Sequence, residues 1–192
     1  MTEIVTITGT GTSPPAVSGT ALATKPSLVV WHRLRFVVMD APRPNNLHLY
    51  LRELEKHNVV CVVRVCEPTY PASDVTAAGI QLLEMEYDDG DAPPPHIINQ
   101  WVDLVRTTFK DAPDSSVSSR EQGPAIAVHC VAGLGRAPVL VAIALIENGL
   151  DPIDAVEYIR SRRRGAINRK QLAYLESYER TTSSRCVSCT IM

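Results

Sequence analysis

Two apolar runs and the polar bridge between them constrain this chain more than any other feature. Ala125-Ile126-Ala127-Val128 is short and wholly apolar, as a strand buried inside a sheet must be. Val139-Leu140-Val141-Ala142-Ile143-Ala144-Leu145-Ile146 is longer and rich in alanine, and reads as a buried helix. Between them runs His129-Cys130-Val131-Ala132-Gly133-Leu134-Gly135-Arg136. A cysteine therefore sits where a strand ends, and a glycine-bearing loop leads into a helix.

That junction has its own chemistry. Backbone N–H groups in such a turn point inward without partners, and the start of the helix adds positive potential. The geometry suits a tetrahedral dianion such as phosphate. The same field favours thiolate over thiol at Cys130, because a cysteine there falls from about 8.5 into a range of roughly 3.5–7.5. Arg136 adds a planar fork that matches two phosphate oxygens. Residues Val131, Ala132, Gly133, Leu134, Gly135 and Arg136 form the candidate cradle, with Cys130 as the nucleophile.

Strands and helices alternate along the rest of the chain. Strands are predicted over 27–31, 34–39, 59–66, 80–87 and 125–130. Helices are predicted over 45–56, 94–109, 135–148, 152–163 and 168–180. The alternation implies an α/β fold, a central and mostly parallel sheet covered by helices on both faces. Ligands in such sheets bind at the carboxyl ends of the strands, where Cys130 lies. Residues 1–25, rich in Thr, Ser, Gly and Ala, read as a disordered segment. Residues 26–180 form one domain, residues 111–123 a polar loop within it, and residues 181–192 a flexible tail.

Composition excludes several classes. A net charge of −2 gives no case for nucleic acid. The start of the chain lacks the charge and apolar core of a secretory leader, so a reducing cytosolic setting is expected. The five cysteines, Cys61, Cys66, Cys130, Cys186 and Cys189, show no zinc spacing, and neither metal nor organic cofactor is implied.

The Cys-x5-Arg loop resembles the signature of protein tyrosine phosphatases. The longer run from His129 to Glu147 resembles one subfamily, the phosphatases of regenerating liver, or type IVA. Val62 to Tyr70, Asp88 to Pro95, Arg162 to Glu176 and the final Cys189-Thr190-Ile191-Met192 agree with it in the same order. The resemblance implies a dual-specificity-phosphatase-like fold and a phosphoprotein substrate. It makes Cys130 the nucleophile and Asp89 the acid that protonates the leaving oxygen, with Asp88 beside it. Asp91 stands where the family usually has alanine, and is a rival for the acid. His129 reads as a core histidine that supports the Cys130 thiolate. Asn168 reads as a helix cap, and Gln171 as a residue that positions water. Ala137 replaces a hydroxyl that helps many relatives expel the thiolate, so breakdown of the phosphocysteine is expected to be slow. Cys66 is implied to form a reversible disulfide with Cys130. Arginines 160, 162, 163 and 164 read as a solvated face. Arsenate reductases and low-molecular-weight phosphatases place their acid after the cysteine, whereas Asp88 and Asp89 precede it here.

The final Cys189-Thr190-Ile191-Met192 is a prenylation box whose methionine points to farnesyl. One lipid chain gives marginal membrane binding. The family's basic stretch before the box is reduced here to Arg180 and Arg185, so acylation of Cys186 is a candidate second anchor. The expected location is the cytoplasmic face of plasma or endosomal membranes. The resemblance also implies a second role, a binding module that docks CNNM-type magnesium-transport mediators in the same pocket, and leaves a homo-oligomer open.

Overall fold

A computed structural model describes Leu22, residues 24–112 and residues 123–181. The polar loop at 113–122 and the tail with Cys186 and Cys189 lie outside the described residues, as does most of the N-terminal segment. The elements in chain order are β1 (Ser27–Trp31), β2 (Leu34–Met39), α1 (Leu47–Lys56), β3 (Val59–Arg64), α2 (Ala72–Ala77), β4 (Gln81–Glu84), α3 (Pro95–Phe109), β5 (Ala125–His129), α4 (Arg136–Glu147), α5 (Pro152–Arg162) and α6 (Arg169–Glu176). The strands form one sheet in the order β1-β2-β5-β3-β4. β1 and β2 make an antiparallel hairpin, and every other neighbouring pair is parallel. The sheet is mostly parallel, as the sequence implies.

Side chains of a strand alternate between faces, and here both faces are apolar. Phe36, Val38, Cys61, Val63, Ile126 and Val128 pack toward Trp101, Val105 and α4. Val37, Met39, Val62 and Ala127 pack toward Tyr50, Leu54 and Val75 on the other side. β5 is central and α4 follows it directly. Eleven of the twelve residues of α4 are buried, which accounts for its lack of a polar face.

The differences from the sequence reading are local. β3 stops at Arg64 and β4 covers only Gln81–Glu84. A register shift between Val59 and Cys61 turns Val60 out to solvent. Helix α2 has no counterpart in the sequence reading, because six residues with a single buried side chain, Val75, offer no period to read. α6 ends at Glu176 rather than near Arg180, with the Ser177 hydroxyl donating to the Tyr174 carbonyl. Thr24 and Lys25, at the end of the stretch that reads as disordered, are tied to the domain, since Thr24 Oγ1 donates to Asp40 at 2.7 Å.

Candidate active site

The loop from Cys130 to Gly135 leaves the carboxyl end of the central strand and is fixed from outside through its carbonyls. Val131 O accepts from the Ala41 amide at 3.0 Å, and Leu134 O from the Ile167 amide at 2.7 Å. Ala132 O and Gly133 O accept from Nη2 and Nε of Arg163, at 3.1 and 2.5 Å. Four consecutive carbonyls are thus engaged away from the concave side. Their amides are left for an anion. Gly133 has φ +66, and a Cβ there would collide with Met39 O and come within 2.6 Å of Arg163 Nη2. Only glycine fits this position. Gly135 precedes α4 without any side-chain cap, so the first amides of the helix are also open.

Arg136 is buried although it begins a helix, where a cation is ordinarily unfavourable. Its Nη1 donates to the Tyr87 carbonyl at 3.1 Å, and the Tyr87 hydroxyl donates to the Arg136 carbonyl at 2.9 Å. Nε has no hydrogen-bond partner and stands 3.5 Å from Asp89 Oδ1. Cys130 is buried with a free thiol. A cleft of about 260 Å³ beside it is lined by Cys66, Tyr87, Asp88, Asp89, Val131 and Arg136.

The structure separates the acidic candidates. The Asp89 carboxylate reaches over the loop, 3.7 Å from where a Cβ on Gly135 would lie. Asp91 turns away and pairs with Lys170 of α6 at 2.9 Å. Asp88 lines the cleft and is exposed. Gln171 is buried, and its Nε2 lies 3.1 Å from the same Gly135 position, so both side chains border the end of the loop. Asn168 and Gln171 cap α6 reciprocally. Asn168 Oδ1 accepts from the Gln171 amide at 2.9 Å, and Gln171 Oε1 from the Asn168 amide at 3.0 Å.

His129 faces the opposite side of the sheet from Cys130. Its Nε2 lies 2.6 Å from the Tyr70 hydroxyl, and Nδ1 has no partner of hydrogen-bond geometry although the Cys130 backbone is beside it. Burial lowers its pKa to about 4, so the ring is neutral near pH 7. Arg64 lies over the Tyr70 ring at 4.7 Å, donates to the Tyr70 carbonyl at 2.8 Å, and pairs with Glu84. This neutral histidine is part of the floor beneath the loop.

Cys66 lies two residues beyond β3, at the same sheet edge as Cys130. Both thiols are free and belong to one buried cluster. Burial first, and then the neighbouring Cys130, push the Cys66 thiol up to about 11. Cys61 is opposite Ile126, four residues before Cys130, or about 13 Å along the strand.

One expectation is corrected. The arginine cluster is not a uniform solvated face. Arg160, Arg162 and Arg164 are exposed, although Arg160 also donates to the carbonyls of Ala166 and Ile167, at 3.0 and 2.7 Å. Arg163 is buried behind the loop. α5 ends at Arg162, and Arg163 takes an extended conformation (φ −135, ψ 91) that turns it inward. Four near-adjacent arginines carry no signal of that turn. Ile167 has φ +62, unusual for a β-branched residue, and is held by its bonds to Leu134 and Arg160.

Comparison with known proteins agrees with this geometry. Residues 37–150 match a family described as "Polymorphic toxin system, DSP-PTPase phosphatase". The chain is 47% identical over 166 residues to a probable protein tyrosine phosphatase type IVA A of Dictyostelium discoideum, covering 86% of this chain and 95% of that protein. It is 44% identical over 153 residues to human protein tyrosine phosphatase type IVA 3, covering 80% and 83% of the two chains. Among solved structures, a protein tyrosine phosphatase (putative) from Leishmania major superposes with a TM-score of 0.71 at 37% identity, over 82% of this chain and all of that one. With its Cys-x5-Arg loop at the carboxyl edge of a mostly parallel sheet, the chain belongs to the type IVA protein tyrosine phosphatases.

Proposed function

We propose that this phosphatase acts on phosphotyrosine through a phosphocysteine that forms quickly and breaks down slowly, and that lipid on its tail holds it at membranes. The observation that carries the chemistry is the loop whose four consecutive carbonyls are bonded outward, beside the buried Nε of Arg136, which has no hydrogen-bond partner. In the first step the Cys130 thiolate attacks phosphorus and the bond to the tyrosyl oxygen breaks. The loop amides and Arg136 hold the equatorial oxygens. Asp89, at the mouth of the cleft, gives its proton to the departing phenolate. In the second step water attacks phosphorus, Asp89 takes its proton, and the thiolate leaves. Gln171, close to Gly135, orients that water. Ala137 is fully buried at the start of α4 and offers no hydroxyl to the leaving thiolate, which makes this step slow.

Oxidation is answered by Cys66. Peroxide converts the Cys130 thiolate to a sulfenic acid. The Cys66 sulfur then displaces its oxygen as water, forming a disulfide that thiols reverse. The shared edge supports this pair over Cys61, which lies in the same cluster but four residues back along the strand. Membrane attachment rests on Cys189 in the final box, with Cys186 as the second lipid site. Farnesylated chain is assigned to the cytoplasmic face of membranes.

The test of the catalytic reading is phosphotyrosine-peptide turnover by wild type, Cys130→Ser and Ala137→Ser. Wild type should release one equivalent of dephosphorylated peptide in a burst before a slow steady state. Ala137→Ser should raise the steady rate, and Cys130→Ser should be inert. A missing burst with no effect of Ala137→Ser overturns slow breakdown. Membrane fractionation of Cys189→Ser tests the lipid, since unchanged partition removes it.

A binding role draws support from the exposure of Val131 and Leu134, 61% and 39%, on the phosphate loop, with Val131 lining the cleft. Two exposed apolar side chains there suit a protein surface. Glu67, Glu86, Asp88 and Asp89 line the same cleft and count against an acidic loop of a CNNM-type mediator as its occupant.

A further inference from the structure

The guanidinium of Arg163 lies behind the loop and is 6% exposed. A buried cation is costly unless its protons are satisfied, and here they are spread over backbone and hydroxyl oxygens. Nε donates to Gly133 O at 2.5 Å and Nη2 to Ala132 O at 3.1 Å. Nη1 lies 3.4 Å from both Val38 O and Ser27 Oγ, and 3.5 Å from Lys25 O. Nη2 also lies 3.5 Å from Thr24 Oγ1, which itself donates to Asp40. A planar fork with five donors on three nitrogens can reach oxygens on several sides at once, whereas the three donors of lysine radiate from one nitrogen and span less.

We propose that Arg163 is a positioning residue for phosphoryl transfer: it pins the Ala132 and Gly133 carbonyls outward so that the loop amides stay aimed at the phosphate, and it sets a fixed positive charge behind Cys130. This rests on Cys130–Arg136 being the phosphate loop. Other ionisable groups also face Cys130. Arg136 comes from α4, Cys66 from beyond β3, and Tyr87 and Asp89 from the segment after β4, while Arg64 and neutral His129 lie with Tyr70 on the other face of the sheet. Asp40, beyond β2, faces the Arg163 guanidinium and moderates its charge.

The experiment uses the full chain as wild type, Arg163→Lys, Arg163→Gln and Cys130→Ser. The readouts are orthovanadate affinity, kcat and KM on an aryl phosphate, and the pH profile of Cys130 alkylation by iodoacetamide. Loss of alignment at a reacting centre is worth about 10–100-fold. Arg163→Lys should weaken orthovanadate binding and lower kcat by that much, with a smaller change in KM. Its retained charge should leave the alkylation midpoint near that of wild type, and Arg163→Gln should move the midpoint upward. Lower melting temperatures in both variants with unchanged orthovanadate affinity and alkylation would make Arg163 a stabiliser of the fold alone and overturn the proposal. If Arg163→Gln does not fold, unchanged orthovanadate affinity in Arg163→Lys overturns it. Turnover by Cys130→Ser would instead overturn the phosphate-loop reading beneath it.

Discussion

Two loops meet over Cys130, and they are held in opposite ways. In the loop from Val131 to Leu134 each carbonyl is bonded, to Ala41, to Arg163 twice, and to Ile167. The loop from Asp88 to Pro94 has one long internal bond, from the Asp91 amide to Asp88 O at 3.4 Å, and two ion pairs, an exposed one between Asp91 and Lys170 and a looser one between Asp89 and Arg136. Asp89 is 73% exposed at its tip and approaches Arg136 no nearer than 3.5 Å. A cradle for a charged transition state gains by being rigid, because no reorganisation is needed during reaction. A proton donor that must admit a bulky substrate gains by moving. The contrast assigns preorganisation to one loop and adaptation to the other.

The largest expected effect comes from removing the chemistry of the adaptable loop. Asp89→Ala should slow phosphocysteine formation from phenyl phosphate by about 10²–10⁴-fold, and much less from aryl phosphates with activated leaving groups. Equal losses on both, measured by rapid quench, would give Asp89 a place in the fixed structure and blur the contrast. A greater loss from Asp91→Ala would move the acid.

Breaking the rigid loop comes next. Gly133→Ala puts a Cβ against Met39 O and Arg163 at a positive φ. It should cost about 10²–10³-fold in kcat/KM, the scale of one lost oxyanion donor, whatever the leaving group. Orthovanadate affinity should fall with it. A loss confined to poor leaving groups would mean that the two loops act as one.

The floor of the rigid loop should respond to pH. His129 titrates near pH 4 in the fold and near 6.5 when unfolded, so the unfolded chain binds the proton more tightly. Stability from keeping this ring neutral is present above pH 6.5 and is lost as pH falls toward 4. The loss is on the order of 3 kcal/mol, since each tenfold difference in proton affinity between the two states is worth about 1.4 kcal/mol. Urea unfolding at pH 7 and pH 4 of wild type and His129→Gln isolates it, since the variant should lack that part of the slope. Equal slopes would show a ring that is already protonated or solvated.

The smallest effect should be at Lys170. Exposed ion pairs contribute about 0–1 kcal/mol, so Lys170→Ala should change kcat/KM by less than about fivefold. A larger loss would show that the acid loop is held from α6.

The sequence makes one loop far more legible than the other. β5, the phosphate loop and α4 follow one another, and their apolar runs and glycines are local signals. The Asp88–Asp89 turn is visible as composition, but its approach to Arg136 is a tertiary contact 47 residues away that no local pattern encodes. Arg163 is illegible for a related reason. Its direction depends on where α5 stops, and helix ends are weakly specified in a run of arginines. The brief α2 leaves no period to read. The tail is legible only in its last four residues, and they lie outside the described structure.

The dependence of the loop on Arg163 and Ile167 also orders events during synthesis. Cys130 and the apolar α4 leave the ribosome before α5 and α6, which pack against α4. Until residue 167 has emerged, two of the three outside donors to the loop are missing and the most hydrophobic helix lacks part of its cover. Chains in that condition are prone to aggregate. A nascent chain stalled before the last two helices would therefore be an inactive client of chaperones, and phosphatase activity becomes a property of the completed domain.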